Sequence, residues 1–205
     1  MLSVRDLISQ MPVPNAQVRL CRSIDVDCAM PVGSAVSDAA GGVTFTVDGP
    51  TAAGYVLIQQ DGFVQTLYFF NPPIDHDQTI PPISFASPLA NVGLLLQLGR
   101  QAIPGRGNIV ISSQDCAGAP AAGVSYSTAS GDGMTSSFYT VGTGGLPSGT
   151  ATATDQGGYG GIINVPAGTA TVTATLDNPA TDLGTISVLV RDGAITYSRV
   201  VPRGH

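Results

Sequence analysis

The chain contains no lysine, no glutamate and no tryptophan. All 8 basic residues are arginine and all 14 acidic residues are aspartate. Exposed helix positions normally draw on Glu and Lys, so their absence argues against a helical protein. Without lysine there is no Schiff-base lysine, no pyridoxal-phosphate site and no P-loop, whose lysine holds the phosphates. With only His76 and His205, a three-histidine zinc site cannot be built within one chain. A net charge of −6 leaves no cationic surface to displace the counterions of a nucleic acid. Long apolar runs are also missing. The longest candidate, Leu89 to Leu98, falls short of the roughly 20 residues that a transmembrane helix requires.

What is present points to strands and tight turns. The 205 residues include 26 Gly and 15 Pro, with abundant Thr, Ser and Val. Val43-Thr-Phe45-Thr-Val47 and Thr171-Val172-Thr-Ala174-Thr-Leu176 alternate apolar and polar side chains, as strands with one face on a core do. Asp61-Gly62 and Asp192-Gly193 lie between such runs, and each predicts a two-residue hairpin turn. One helix is expected between the halves. Ser87 caps it, Pro88 fits its first turn and Gly99 closes it, with Leu89, Val92, Leu95 and Leu96 as its apolar stripe. Such a stripe packs the linker against one or both flanking domains.

An internal repeat organises the whole. Pro14-x-Ala16-x-Val18 returns as Pro120-x-Ala122-x-Val124, and Asp38-x-x-Gly41 returns as Asp155-x-x-Gly158. The first landmark shifts by 106 positions (120 minus 14) and the second by 117 (155 minus 38), so an insertion of 11 residues separates them in the second copy. The expected organisation is a β-sandwich over 2–86, a linker with a short helix over 87–104, and a second sandwich over 105–202 with an inserted loop around 129–148.

Three cysteines bear on compartment. Cys21 and Cys28 are spaced to staple the arms of a hairpin, which implies an oxidising compartment, with a free buried pair as the alternative. Cys116 has no obvious partner. The segment Met1–Asp6 carries no apolar core of a signal peptide, which fits a cytoplasmic protein or a mature segment of an exported one.

The order Val4-x-Asp6, Pro14-x-Ala16-x-Val18, Asp38-x-x-Gly41 and Gly54-Tyr55 resembles a carboxypeptidase regulatory-like domain, of the transthyretin-like (prealbumin-like, Ig-like) β-sandwich group. The second copy extends the resemblance over nearly the whole chain. A first domain bearing Cys21 and Cys28, followed by one opening Asp115-Cys116-Ala-Gly, is similar to predicted surface lipoproteins of Gram-negative bacteria. The resemblance implies an all-β fold of two tandem antiparallel sandwiches, a non-catalytic role and a cell-surface or extracellular setting. The Lys–Asn isopeptide bond of related collagen-adhesin repeats is impossible without lysine.

Few residues carry chemistry. Asp75-His76-Asp77 sets carboxylates beside an imidazole, but the Pro72-Pro73 and Pro81-Pro82 flanks mark an exposed loop, and a hydrolase would have to recruit His76. That tripeptide, or Asp25-Val-Asp27, offers oxygens to Ca²⁺ without the spacing of a calcium loop. In the insertion, Phe138-Tyr139 stands among Gly131, Gly133, Gly142, Gly144 and Gly145. Neighbours on a strand face opposite ways, so one ring is expected in the core and the other exposed, where it would suit a sugar or protein contact; the alternative is an extra hairpin whose aromatic residues cover the sandwich end. No cofactor is expected. The partner is expected to be protein, through self-association or a cell-surface contact, or else polysaccharide.

Overall fold

Among the described residues, period-2 alternation bounded by Gly, Asn and Asp turns builds fifteen strands and one helix. The computed structural model describes residues 1–47, 53–142, 145–177 and 179–201. Within the expected insertion Gly144 lies outside these residues, as do Pro202 at the second sandwich's end and His205. The chain divides into two units, Met1–Val92 and Gly93–His205.

The first unit has β1 (Leu2–Asp6), β2 (Gln17–Arg22), β3 (Gly33–Val36), β4 (Gly42–Val43), β5 (Gly54–Gln59), β6 (Thr66–Phe69) and β7 (Ile83–Phe85). One sheet runs β4-β1-β7 and the other β3-β2-β5-β6. Alternate residues of the strands, among them Leu2, Val4, Val18, Leu20, Val56 and Phe85, are buried as its core. The sandwich is not wholly antiparallel, because β1 lies antiparallel to β4 but parallel to β7.

Helix α1 (Pro88–Gln97) follows, and then β8 (Arg106–Ser113), β9 (Val124–Thr128), β10 (Ser136–Val141), β11 (Leu146–Ser148), β12 (Tyr159–Pro166), β13 (Gly168–Asp177), β14 (Ala180–Val190) and β15 (Ile195–Val200). The second unit's sheets are β11-β10-β12-β8-β15 and β14-β13-β9. Here β8 takes the place of β1, antiparallel to β12 and parallel to β15.

The two units share a hydrogen-bond lattice. Val4 donates its N–H to Gly41 O at 2.8 Å and accepts from Val13 N–H at 3.0 Å; Ser113 donates to Gly158 O at 2.7 Å and accepts from Ala121 N–H at 2.9 Å. The Ser37 hydroxyl accepts from Ala16 N–H and donates to Val13 O. The Thr154 hydroxyl does the same between Val124 N–H and Ala121 O. Asn15 (φ 64°) and Gly123 (φ 78°) occupy the same left-handed position.

This lattice corrects the repeat alignment. Val124 is the counterpart of Ala16, and Pro120, bridged to Gln114 as Pro12 is to Arg5, matches Pro12 rather than Pro14. Ala16 and Ser37 are 21 residues apart where Val124 and Thr154 are 30 apart, so the second unit carries nine extra residues, not 11. They accompany a change of sheet. Whereas β3 pairs with β2, β10 leaves β9, pairs with β12 and adds β11 at its edge.

Two turn expectations need revision. Asp61-Gly62 does sit at the centre of a turn, with Phe63 N–H reaching Gln60 O and Gly62 at φ 84°, but the β5–β6 ladder closes only at Ile58 and Thr66. Asp192-Gly193 joins strands of different sheets. Gly193 N–H is taken by Arg106 O, which carries the chain onto β8 and makes β15 its parallel neighbour.

Ser87 caps α1 by accepting Ala90 N–H, and Gly99 closes it at φ 68° with Arg100 N–H on Leu95 O. The expected stripe is largely on the wrong side. Leu95 is buried, while Leu89 (82% exposed), Val92 and Leu96 face water. The helix is apolar on two sides, and Leu95 with Leu98 packs against Phe138, Ile163 and Val110.

Gly41 (φ 75°) and Gly158 (φ 71°) press against the backbones of Val4 and Ser113, and a Cβ at either would fall on the carbonyl oxygen it faces. Gly41→Ala and Gly158→Ala are each expected to destabilise their unit by about 1–3 kcal/mol, read as a lowered urea midpoint.

Candidate functional site

The first expected feature is in place. Cys21, at the end of β2, is joined to Cys28 with the Cα atoms 5.3 Å apart, and Cys116 is free and exposed. Asp25 organises the closed loop. Its N–H donates to Arg22 O, its carbonyl accepts Cys28 N–H, and its carboxylate accepts the N–H groups of Ala29 and Met30. From below, the Tyr55 hydroxyl, on a ring stacked 4.8 Å from Phe69, donates to Asp25 O at 2.6 Å. The result is a braced loop that holds Ile24 (85% exposed) and Met30 in water.

The aromatic pair of the insertion follows the covering-hairpin alternative and not the exposed-ring one. Both rings are buried, Phe138 at 8% and Tyr139 at 3% exposed. The alternation is real, but both faces of β10 are covered. Phe138 lies with Leu95 and Ile163, and Tyr139 stacks 5.7 Å from Tyr126 inside the sandwich. The Tyr139 hydroxyl accepts Tyr126 N–H, and Ser137 Oγ donates to Tyr126 O. These two bonds seal the edge of β9, so neither ring is presented to a sugar or a protein. Burial pushes the Tyr126 hydroxyl up from its ordinary pKa, against the opposing hydrogen bond with Ser113 Oγ at 2.6 Å.

The same insertion is tied down by charge. Arg106 reaches Asp132 through both guanidinium nitrogens, at 2.9 and 2.6 Å, and also donates to Asn164 O. Asn164, at φ 54° where the β12–β8 register shifts, is held further by Asn108 Oδ1 and Gln101 O. The hydrogen bond from Arg106, with that from Met134 N–H, holds the Asp132 carboxyl down at about 2.

The tripeptide Asp75-His76-Asp77 rims a cleft of about 740 Å³ in the first unit. Its floor and walls include Leu20, Val56, Phe70, Thr44–Val47 and Gln78–Ile80. His76 Nδ1 lies 2.5 Å from Asp75 Oδ1, and both side chains are well exposed. Among the described residues no hydroxyl bonds to that ring, and no cluster of three or more His, Cys or Asp is placed to hold a metal ion. Asp25, the other calcium candidate, spends its carboxylate on backbone amides. No helix of the described residues is long and apolar enough to cross a membrane.

The cleft walls were not singled out from the sequence. A signal existed: the alternation of Val43–Val47 runs on for four residues past the two that β4 pairs.

No family model matches the chain, so the carboxypeptidase regulatory-like assignment gains no support, and no curated protein matches it. Among solved structures it aligns over 98% of its length with the Bacillus anthracis TIE protein, at 13% identity and a TM-score of 0.32, and spans 33% of that chain. It aligns over its whole length with the shaft pilin SpaA from Lactobacillus rhamnosus GG (11% identity, TM-score 0.30, 97% of that chain). A streptococcal ancillary pilin follows at 10% identity and a TM-score of 0.29, with 62% of that chain covered. The fold described above rests on the chain's own strand pairing and not on these likenesses.

Two measurements check the site. Denatured without reductant, the chain should show one titratable thiol, and three after reduction; replacing Cys21 and Cys28 together by Ser should cost the first unit about 2 kcal/mol. The Asp132 carboxyl is lower in the folded chain than its ordinary 3.8, so its contribution is complete above that value and fades as pH falls towards 2. The urea midpoint of Asp132→Asn should therefore lie below wild type near neutrality and meet it at about pH 2.

Proposed function

We propose that this chain is a non-catalytic structural or adhesive protein of the cell surface or extracellular space. Its two units are tandem copies of one sandwich domain, and its partner is protein, either a second copy or a surface component. The observation that carries the proposal is the braced Cys21–Cys28 loop. A disulfide of this kind persists in oxidising compartments. This one stiffens a loop whose Ile24 and Met30 face water. Large apolar side chains held rigidly in solvent lose little entropy when a partner covers them. The lattice shared by the units supports the duplication, because the same Gly and hydroxyl positions pin the first strand of each.

Concentration series by mass photometry test the proposal. Association that rises with concentration, and falls in a chain carrying Ile24→Ser and Met30→Ser with an unfolding midpoint unchanged within about 0.5 kcal/mol, is the expected result. A chain that stays monomeric throughout removes the self-assembling form.

A further inference from the structure

We propose that β3 is the surface through which two copies of this chain pair, antiparallel and edge to edge, about a two-fold axis at Ser34. The proposal deepens the assembling role above and rests on it in taking the chain to associate with itself.

β3 ends the first unit's larger sheet, with β2 as its neighbour. An edge strand offers a row of N–H and C=O groups to another chain unless something guards it. The other edges among the described residues are guarded or short. On β7, Phe85 O already accepts Leu7 N–H, and β4 is two residues long. β11 carries Pro147, while β14 carries Asp182 and a register shift against β13. The edge of β9 is sealed by Tyr139 and Ser137. Gly33–Val36 has no charge, no proline and an unbroken register against Gln17–Leu20.

Alternation along the ladder decides which groups face outward. Ser37 N–H donates to Ala16 O, one step beyond the Val36–Gln17 pair. Bonded and non-bonded pairs alternate in an antiparallel ladder. Ala35 and Gly33 therefore bond to β2, and Ser34 and Val36 turn their N–H and C=O away from it. Val32, Ser34 and Val36 also carry the exposed side chains, Val32 at 45% and Val36 at 50%. With the axis at Ser34, the two Ser34 residues exchange both backbone bonds. Each Val36 then falls opposite the second copy's Val32, so exposed apolar side chains pair twice. An axis at Ala35 would instead set Asp38 against Val32.

Charge agrees with the first axis. Arg22 ends β2 beside the start of β3, and Asp38 follows the end of β3. Arg22 is exposed, and among the described residues no carboxylate pairs with it. Asp38 Oδ1 accepts Ala40 and Gly42 N–H, which leaves Oδ2 for a cation. The two-fold turns each Asp38 towards the Arg22 end of the second copy, so unlike charges approach on both sides. The braced loop leads directly into β3, and its Met30 is carried onto the second copy's turn at Asp38.

The test is cysteine cross-linking of the full chain in a Cys116→Ser background. Opposed residues of a bonded pair have Cα atoms about 5.5 Å apart, within the span of a disulfide. Ser34→Cys should form a covalent dimer in air about tenfold faster than Ala129→Cys, an exposed site away from β3. Val36→Cys should lag too, because the axis holds its two copies apart, whereas mixed Val32→Cys and Val36→Cys chains should cross-link. Val36→Lys, a charge on the edge, should weaken association about tenfold in sedimentation with the urea midpoint unchanged. Ser34→Cys no faster than Ala129→Cys, or undiminished association of Val36→Lys, would overturn the pairing, and faster linking by Val36→Cys than by Ser34→Cys would overturn its axis. Association without cross-linking at Ser34 defeats the pairing and leaves the assembling role standing. Cross-linking at Ser34 with association undiminished by Ile24→Ser and Met30→Ser upholds the pairing and removes the braced loop as its carrier.

Discussion

Both units depend on how closely one backbone can approach another at the first strand. β1 and β8 each lie between an antiparallel and a parallel neighbour, and that position is pinned where Gly41 or Gly158 presses on Val4 or Ser113. Only a residue without a Cβ, at positive φ, allows the contact. Once it forms, the Ser37 or Thr154 hydroxyl fixes the entry to the next strand, and the two sheets are set face to face with their alternate apolar side chains between them.

The exclusive use of aspartate has a structural reason. Asp6, Asp25, Asp38, Asp115, Asp155 and Asp182 each turn a carboxylate oxygen onto backbone N–H groups two to five residues ahead. A short side chain makes these bonds within its own turn, which is how Asp stabilises loops. Much of the acidity that a composition count reads as surface charge is therefore loop architecture. The braced loop of Asp25 is the case in which such a turn, a disulfide and a buried tyrosine hydroxyl combine to present apolar side chains outward.

Parts of this arrangement were legible in the residues and parts were not. The helix ends were readable because Ser87 and Gly99 act on their own neighbours. Which side of the helix is buried was not, since Leu89, Val92 and Leu96 make as good a stripe as Leu95 and Leu98, and the choice lies with Phe138 and Ile163, more than forty residues away. The same holds for Phe138 and Tyr139: alternation sends them to opposite faces, but only the coverage of both faces decides that neither is free. The repeated landmarks are visible in the sequence, but their register at Pro120 is not, because proline recurs at both Pro12 and Pro14 and only the bridge to Arg5 tells them apart.

The residues alone determined the strand-rich class and the helix ends, because each follows from composition or from interactions between near neighbours. Tertiary structure decided which sheet β10 and β15 join, which helix face is covered, and that a cleft stands open beside β4. Those outcomes turn on ladder hydrogen bonds and packing between segments far apart in the chain. Local sequence patterns carry no record of which distant partner is nearest.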